Sequence, residues 1–214
     1  MVELADPAAT AEPLGALLGR VRACRLCAEH LPLGPRPVLR AAATARILII
    51  GQAPGTKVHA TGIPWNDPSG ERLRRWMAIG RDSFYDHSRI AIMPMGFCYP
   101  GRLAKGGDAP PRPECAPAWH GKIRRCLPGI ELTLLVGAHA QGYYLHDGRT
   151  RSMTETVRNF RDHLPEFLAL PHPSWRNTAW LRRNPWFEAD VLPMLRRRVH
   201  GLLSNASTPF HNSV

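Results

Sequence analysis

No stretch of the chain approaches the ~20 consecutive apolar residues that a membrane-spanning helix needs, so partition into a bilayer as a helix is not expected. Lysine is almost missing. Only Lys57, Lys105 and Lys122 occur among 28 basic residues, and the rest are arginine. Acidic side chains number 17, which leaves a net charge of +11 and an isoelectric point near 10.3. Near the amino terminus stand Glu3 and Asp6 rather than a basic segment, so a secretory leader is not expected, and a cytoplasmic location is. In that reducing setting the five cysteines read as ligands or buried thiols rather than a disulfide frame.

What is present suits a folded protein with a polyanionic partner. A hydrophobic share of 44% excludes wholesale disorder, and 214 residues are enough for one domain with a sizeable core. Arginine makes bidentate phosphate contacts and stacks on rings, so an arginine excess fits nucleic acid. An arginine-rich codon bias gives the same composition. The expected organisation is a disordered segment over 1–12, a single domain over 13–200 and a flexible tail over 201–214.

The pattern alternates helices with strands. Leu14, Leu17, Leu18 and Val21 recur at helical spacing before Cys24-Arg-Leu-Cys27, and a proline-rich connector covers 32–37. Arg46–Ile50 carries a continuous apolar run after its arginine and is closed by glycine, as in a strand buried on both faces. Further strands are expected at 89–93, 132–136 and 166–170. Helices are expected at 68–77, 113–126, 138–145 and from about 185 to 199. The glycine- and proline-rich stretch 97–113 reads as loop. This implies an α/β fold, a three-layer α/β/α sandwich around a mostly parallel four-stranded sheet. In such sheets ligands bind beyond the carboxyl ends of the strands. That rule gathers 51–55, 93–99, 137–139 and 171–177 into one site.

Two of those strand ends carry chemistry. In Gly51-Gln52-Ala53-Pro54-Gly55 the glycines let backbone approach a ligand, and free N–H groups suit a phosphate or a base carbonyl. In His172-Pro173-Ser174 the flanking prolines hold an imidazole rigidly, as stabilisation of a developing anion requires. Each segment alone also fits a plain turn or a structural histidine.

Taken in order, Cys24-x-x-Cys27, Gly51–Gly55, Thr61-Gly-Ile-Pro-Trp65, Cys98…Cys115, Leu135-Val-Gly137 and His172-Pro-Ser174 resemble the uracil-DNA glycosylase superfamily, most closely its iron–sulfur family 4. The resemblance runs from about Cys24 to Val199. It implies an enzyme that flips a uracil or related deaminated base out of DNA and hydrolyses its glycosidic bond. His172 would hydrogen-bond the base carbonyl, and Trp65 would stand where the family stacks a phenylalanine. Ser174, Trp175, Arg176 and Asn177 would form the loop pressed into the helix, with Trp175 or Arg176 as the wedge. Uracil-containing DNA is the implied partner, the chain acting as a monomer with no membrane contact.

The chain also departs from that family. Gln52 stands where family 4 has glutamate, and Ala53 where family 1 has aspartate, so neither can act as a general base. Water would be held by Gln52 or backbone carbonyls; Asp67 is an acidic substitute close in sequence. The base-reading asparagine at the second strand end is absent from Ile92-Met93-Pro94-Met95, which leaves Asn66, Asn177 or the main chain near Gly96 to read the base. Cys24, Cys27, Cys98 and Cys115 follow the family's cluster spacing and suit a structural [4Fe–4S] cluster or zinc; a metal-free descendant with buried thiols is the alternative. A non-catalytic protein that captures damaged or single-stranded DNA is the competing function. A nucleotide-phosphate site at Gly51–Gly55 is disfavoured, because no Gly-Lys-Ser/Thr follows.

Overall fold

The computed structural model describes residues 12–104, 106–145 and 151–204. All but Glu12 of the expected disordered segment over 1–12, and most of the tail, therefore lie outside the described residues. Helix α1 (Leu14–Arg22) leads through the proline-rich connector to strand β1 (Ile47–Ile50). Then come α2 (Thr56–Thr61), α3 (Pro68–Met77), α4 (Arg81–Tyr85) and β2 (Ile90–Ile92). After a long loop follow α5 (Cys115–Arg125), β3 (Leu132–Val136) and α6 (Ala138–Tyr144). The described residues end with α7 (Met153–Arg158), β4 (Phe167–Leu170), α8 (Thr178–Arg183) and α9 (Leu192–Ser204).

All four strands are parallel, in the order β2-β1-β3-β4. Successive side chains of a strand face opposite ways, and β1 supplies both layers. Ile47 and Ile49 pack with Leu73, Met77, Phe84 and Leu195 from α3, α4 and α9. Leu48 and Ile50 pack with Leu17, Val21, Ile123 and Ala140 from α1, α5 and α6. That makes the three layers. The free edge of β2 is covered by Arg40, which exchanges two backbone hydrogen bonds with Ile92 (Arg40 N–H to Ile92 O, 2.9 Å; Ile92 N–H to Arg40 O, 2.7 Å).

The chain-end expectation needs one correction. Helix α9 runs to Ser204 rather than stopping near 199, and Leu202 and Leu203 are buried in the core. Their apolar side chains extend the helix's packing stripe for another turn. A π-helical turn at Phe187–Val191 precedes α9, with Phe187 and Val191 buried. No helix among the described residues is long and apolar enough to cross a membrane.

Candidate functional site

The carboxyl ends of the strands open into a cleft of about 520 Å³. Its floor is the loop after β1, where Gly51, Gln52, Ala53, Pro54 and Gly55 all line the cavity. Gly55 stands before the first turn of α2. Glycine at 51 is a steric requirement, since a β-carbon there would lie 2.6 Å from Cζ2 of the Trp65 indole.

Trp65 owes its position to an unusual backbone. It adopts a left-handed conformation (φ 56°), uncommon for a bulky residue. A β-carbon at Gly70 would stand 1.8 Å from its carbonyl oxygen. The Pro64 carbonyl accepts from the Tyr85 hydroxyl at 2.9 Å, which fixes the loop from outside. The indole faces His172 with ring centroids 5.6 Å apart and planes inclined by 31°. Behind the imidazole lies Gly137 (φ 91°), where a β-carbon would meet His172 Cβ at 3.4 Å.

His172 is held by its backbone. Its carbonyl accepts from the Asn177 side-chain amide at 2.7 Å, and Arg72 on α3 donates to the Ser174 carbonyl at 2.9 Å. No hydrogen bond engages either ring nitrogen among the described residues. Burial holds the imidazole pKa below its ordinary value, against the opposing pull of the Asp67 carboxylate, so it is a neutral donor at neutral pH. Asp67 also caps α3, accepting from the Gly70 N–H at 2.8 Å.

The far wall comes from Ser174, Trp175, Arg176 and Asn177 and from the loop after β2, which contributes Pro94, Arg102, Gly107 and Asp108. Residues 102–104 and 106–108 pair as the two arms of a tight hairpin, closed by the Arg102–Asp108 bridge and by Leu103 N–H to Gly107 O at 2.9 Å. It touches the histidine loop: a β-carbon at Gly107 would fall 2.6 Å from the Arg176 guanidinium. Arg176 lies 5.5 Å over the Trp175 ring, and that indole is 75% exposed at the cleft mouth.

The expected residues thus gather, with exceptions. Asn66 does not line the cleft; its side-chain oxygen accepts from Arg81 at 3.4 Å. Residues 137–139 back the site instead of lining it, and of 93–99 only Pro94 reaches the cavity. Met93, Met95, Phe97 and Tyr99 are buried in the body of the domain, where a strand end rich in large apolar groups is drawn. Arg72, Arg102 and Asp108 were not anticipated. They lie on a helix face and in a glycine-rich loop, where sequence spacing carries no signal.

A second, smaller cavity is lined by all four expected ligand cysteines, Cys24, Cys27, Cys98 and Cys115, with Phe97 and Trp119 among its apolar walls. Burial pushes the Cys98 thiol up to about 11 and Cys115 to about 12, and the neighbouring cysteines add to each shift. Cys115 accepts from the Phe97 N–H at 3.4 Å, and Cys27 donates to the Glu114 carboxylate at 3.7 Å. In identity and enclosure the four thiols suit a sulfur-liganded centre. As spaced here, no group of three or more His, Cys, Asp or Glu among the described residues closes into a ligand set.

A neutral imidazole facing an aromatic ring across a glycine-floored cleft, at the strand ends of a parallel sheet, agrees with what comparison with known families returns. Residues 39–196 match the family model described as the uracil DNA glycosylase superfamily, and the chain belongs to that superfamily.

Proposed function

We propose that the protein excises uracil, or a related deaminated base, from DNA and leaves an abasic site. The observation that carries this reading is His172, a neutral imidazole with unengaged ring nitrogens, facing the Trp65 indole at 5.6 Å inside the cleft. A base rotated out of the duplex would stack on the indole. The His172 N–H would donate to a base carbonyl as the glycosidic bond breaks and charge builds on the ring. A preorganised donor of that kind is typically worth about 100-fold or more in rate. Gln52 and the backbone of Gly51–Gly55 line the floor, and Asn177 stands beside them with its amide nitrogen committed to the His172 carbonyl. Trp175, braced by Arg176, is the group to fill the space the base vacates.

The test is a labelled uracil-containing oligonucleotide, incubated with the protein and treated with alkali to cleave abasic sites. Strand scission supports the reading, and His172→Ala should reduce it about 100-fold. Binding without scission replaces it with the alternative, a protein that captures DNA without excision; the amide at Gln52, which cannot accept a proton from water, is the observation on that side.

We also propose that Cys24, Cys27, Cys98 and Cys115 hold a structural [4Fe–4S] cluster, as in the iron–sulfur subgroup. Support comes from their shared cavity and from Cys98 and Cys115 flanking the loop that carries the cleft's far wall. The cluster's contribution would be to staple that loop, and hydrolysis needs no electron from it. Iron with acid-labile sulfide in purified protein is the expected result; zinc, or neither, refutes it.

A further inference from the structure

Hydrolysis of a glycosidic bond requires something to take a proton from the attacking water, and a carboxylate is the usual acceptor. Two carboxylates, Asp67 and Asp108, line the cleft among the described residues. Asp67 is committed elsewhere: one oxygen caps α3 through the Gly70 N–H, and its charge bears on His172. Asp108 is different. Its carboxylate enters no hydrogen bond or ion pair among the described residues and stands over Gly55, with Oδ2 3.5 Å from where a β-carbon on that glycine would be.

Its placement is built rather than incidental. The next residue, Ala109, is pinned twice, its N–H donating to the Gly101 carbonyl at 2.8 Å and its carbonyl accepting from Gln52 Nε2 at 3.3 Å. The backbone bridge to Arg102 closes the hairpin from the other side, and Arg176 abuts its glycine turn. Gln52 therefore positions the loop segment that carries the carboxylate. His172 faces the Trp65 indole, whereas Asp108 stands over Gly55, the last residue of the floor. A displacement needs that separation: the leaving base and its donor on one side of the sugar carbon, the water and its base on the other.

We propose that Asp108 is the water-activating carboxylate of this site, holding the water above the Gly51–Gly55 floor and accepting its proton. The step balances. The water oxygen bonds to C1′ of the sugar, the C1′–N bond breaks with its electron pair passing to the base, and the water proton goes to Asp108. His172 holds the base anion. The titratable and charged groups beside Asp108 are Arg102 on the opposite arm of the hairpin and the Tyr99 hydroxyl, on which Arg102 and Asp108 both bear, while the Arg176 guanidinium lies against neighbouring Gly107.

The assignment rests on the excision reading above, and one experiment separates the two. Single-turnover excision is measured for wild type, Asp108→Asn and Asp108→Ala, with binding to an oligonucleotide carrying a non-cleavable 2′-fluoro deoxyuridine analogue measured in parallel. Both variants should lose about 100-fold or more in rate while binding is kept or tightened, since a negative charge leaves a cleft that receives a polyanion. Formate or azide should partly restore Asp108→Ala and leave wild type unchanged, which a merely structural role does not predict. An undiminished rate in both variants, or a loss accounted for by weakened binding, overturns the assignment while the excision reading stands. A wild type that binds without excising overturns both.

Discussion

His120 offers a quantitative test of the core behind the cleft. Its Nε2 lies 3.1 Å from the Pro94 carbonyl, and its Nδ1 lies 2.7 Å from the Tyr144 hydroxyl. A carbonyl only accepts, so Nε2 carries the proton and Nδ1 accepts from the hydroxyl. The ring stacks on Phe97 with centroids 5.6 Å apart. Burial, aided by the nearby Arg124 charge, lowers its pKa from 6.5 to about 4. The unfolded chain therefore binds a proton between those values that the folded chain refuses. Stability from this residue is fully present above the unfolded pKa and is lost as pH falls toward the folded one. At about 1.4 kcal/mol per unit the loss reaches about 3 kcal/mol by pH 4. Urea unfolding across pH 7.5 to 4 should show wild type losing that much more than His120→Gln, because the variant removes this titration and leaves the carboxylates and other histidines in place. Parallel pH profiles for the two proteins would refute the buried neutral tautomer.

Three further outcomes follow from the geometry. Gly51→Ala should displace the Trp65 indole, whose Cζ2 is 2.6 Å from the new β-carbon; excision should fall and tryptophan emission shift, while the melting temperature moves little if the indole swings freely. Asp67→Asn keeps an N-cap acceptor for α3 but removes the charge that props up the His172 pKa, so the His172 midpoint should move further down when followed by NMR. Gly70→Ala places a β-carbon 1.8 Å from the Trp65 carbonyl; the expected result is a large loss of thermal stability, and a melting temperature within a degree of wild type would contradict the left-handed backbone at Trp65.

The strands were legible in the sequence because β1 is an unbroken apolar run and β3 is broken only by Thr133, both buried at every position. Helix α3 announced itself through Pro68 at its start, and its Asp67 cap did not. Helices α2, α4, α7 and α8, of five or six residues, escaped notice because fewer than two turns carry no readable period and depend on tertiary packing. Only α7 left a local sign, the capping box of Ser152 and Glu155. In the site, His172 and the glycine floor followed from strand-end position, and Trp65 from the family resemblance. Asp108 did not, because its place is set by a hairpin whose glycines (Gly101, Gly106 and Gly107, all at positive φ) make its path independent of side-chain pattern.

The hydrogen bond from Gln52 to the Ala109 carbonyl bears on how freely this site can be rewritten. An amide can donate to that carbonyl; a carboxylate cannot, and would face it with a repelling lone pair. Glutamate at position 52 would thus release the Ala109 tether and bring a second negative charge toward the hairpin that carries Asp108. Installing an acid on the cleft floor is therefore no simple gain of function in this background. The amide and the hairpin form a matched pair, and a change at one of them is compatible with the cleft only if the other changes too.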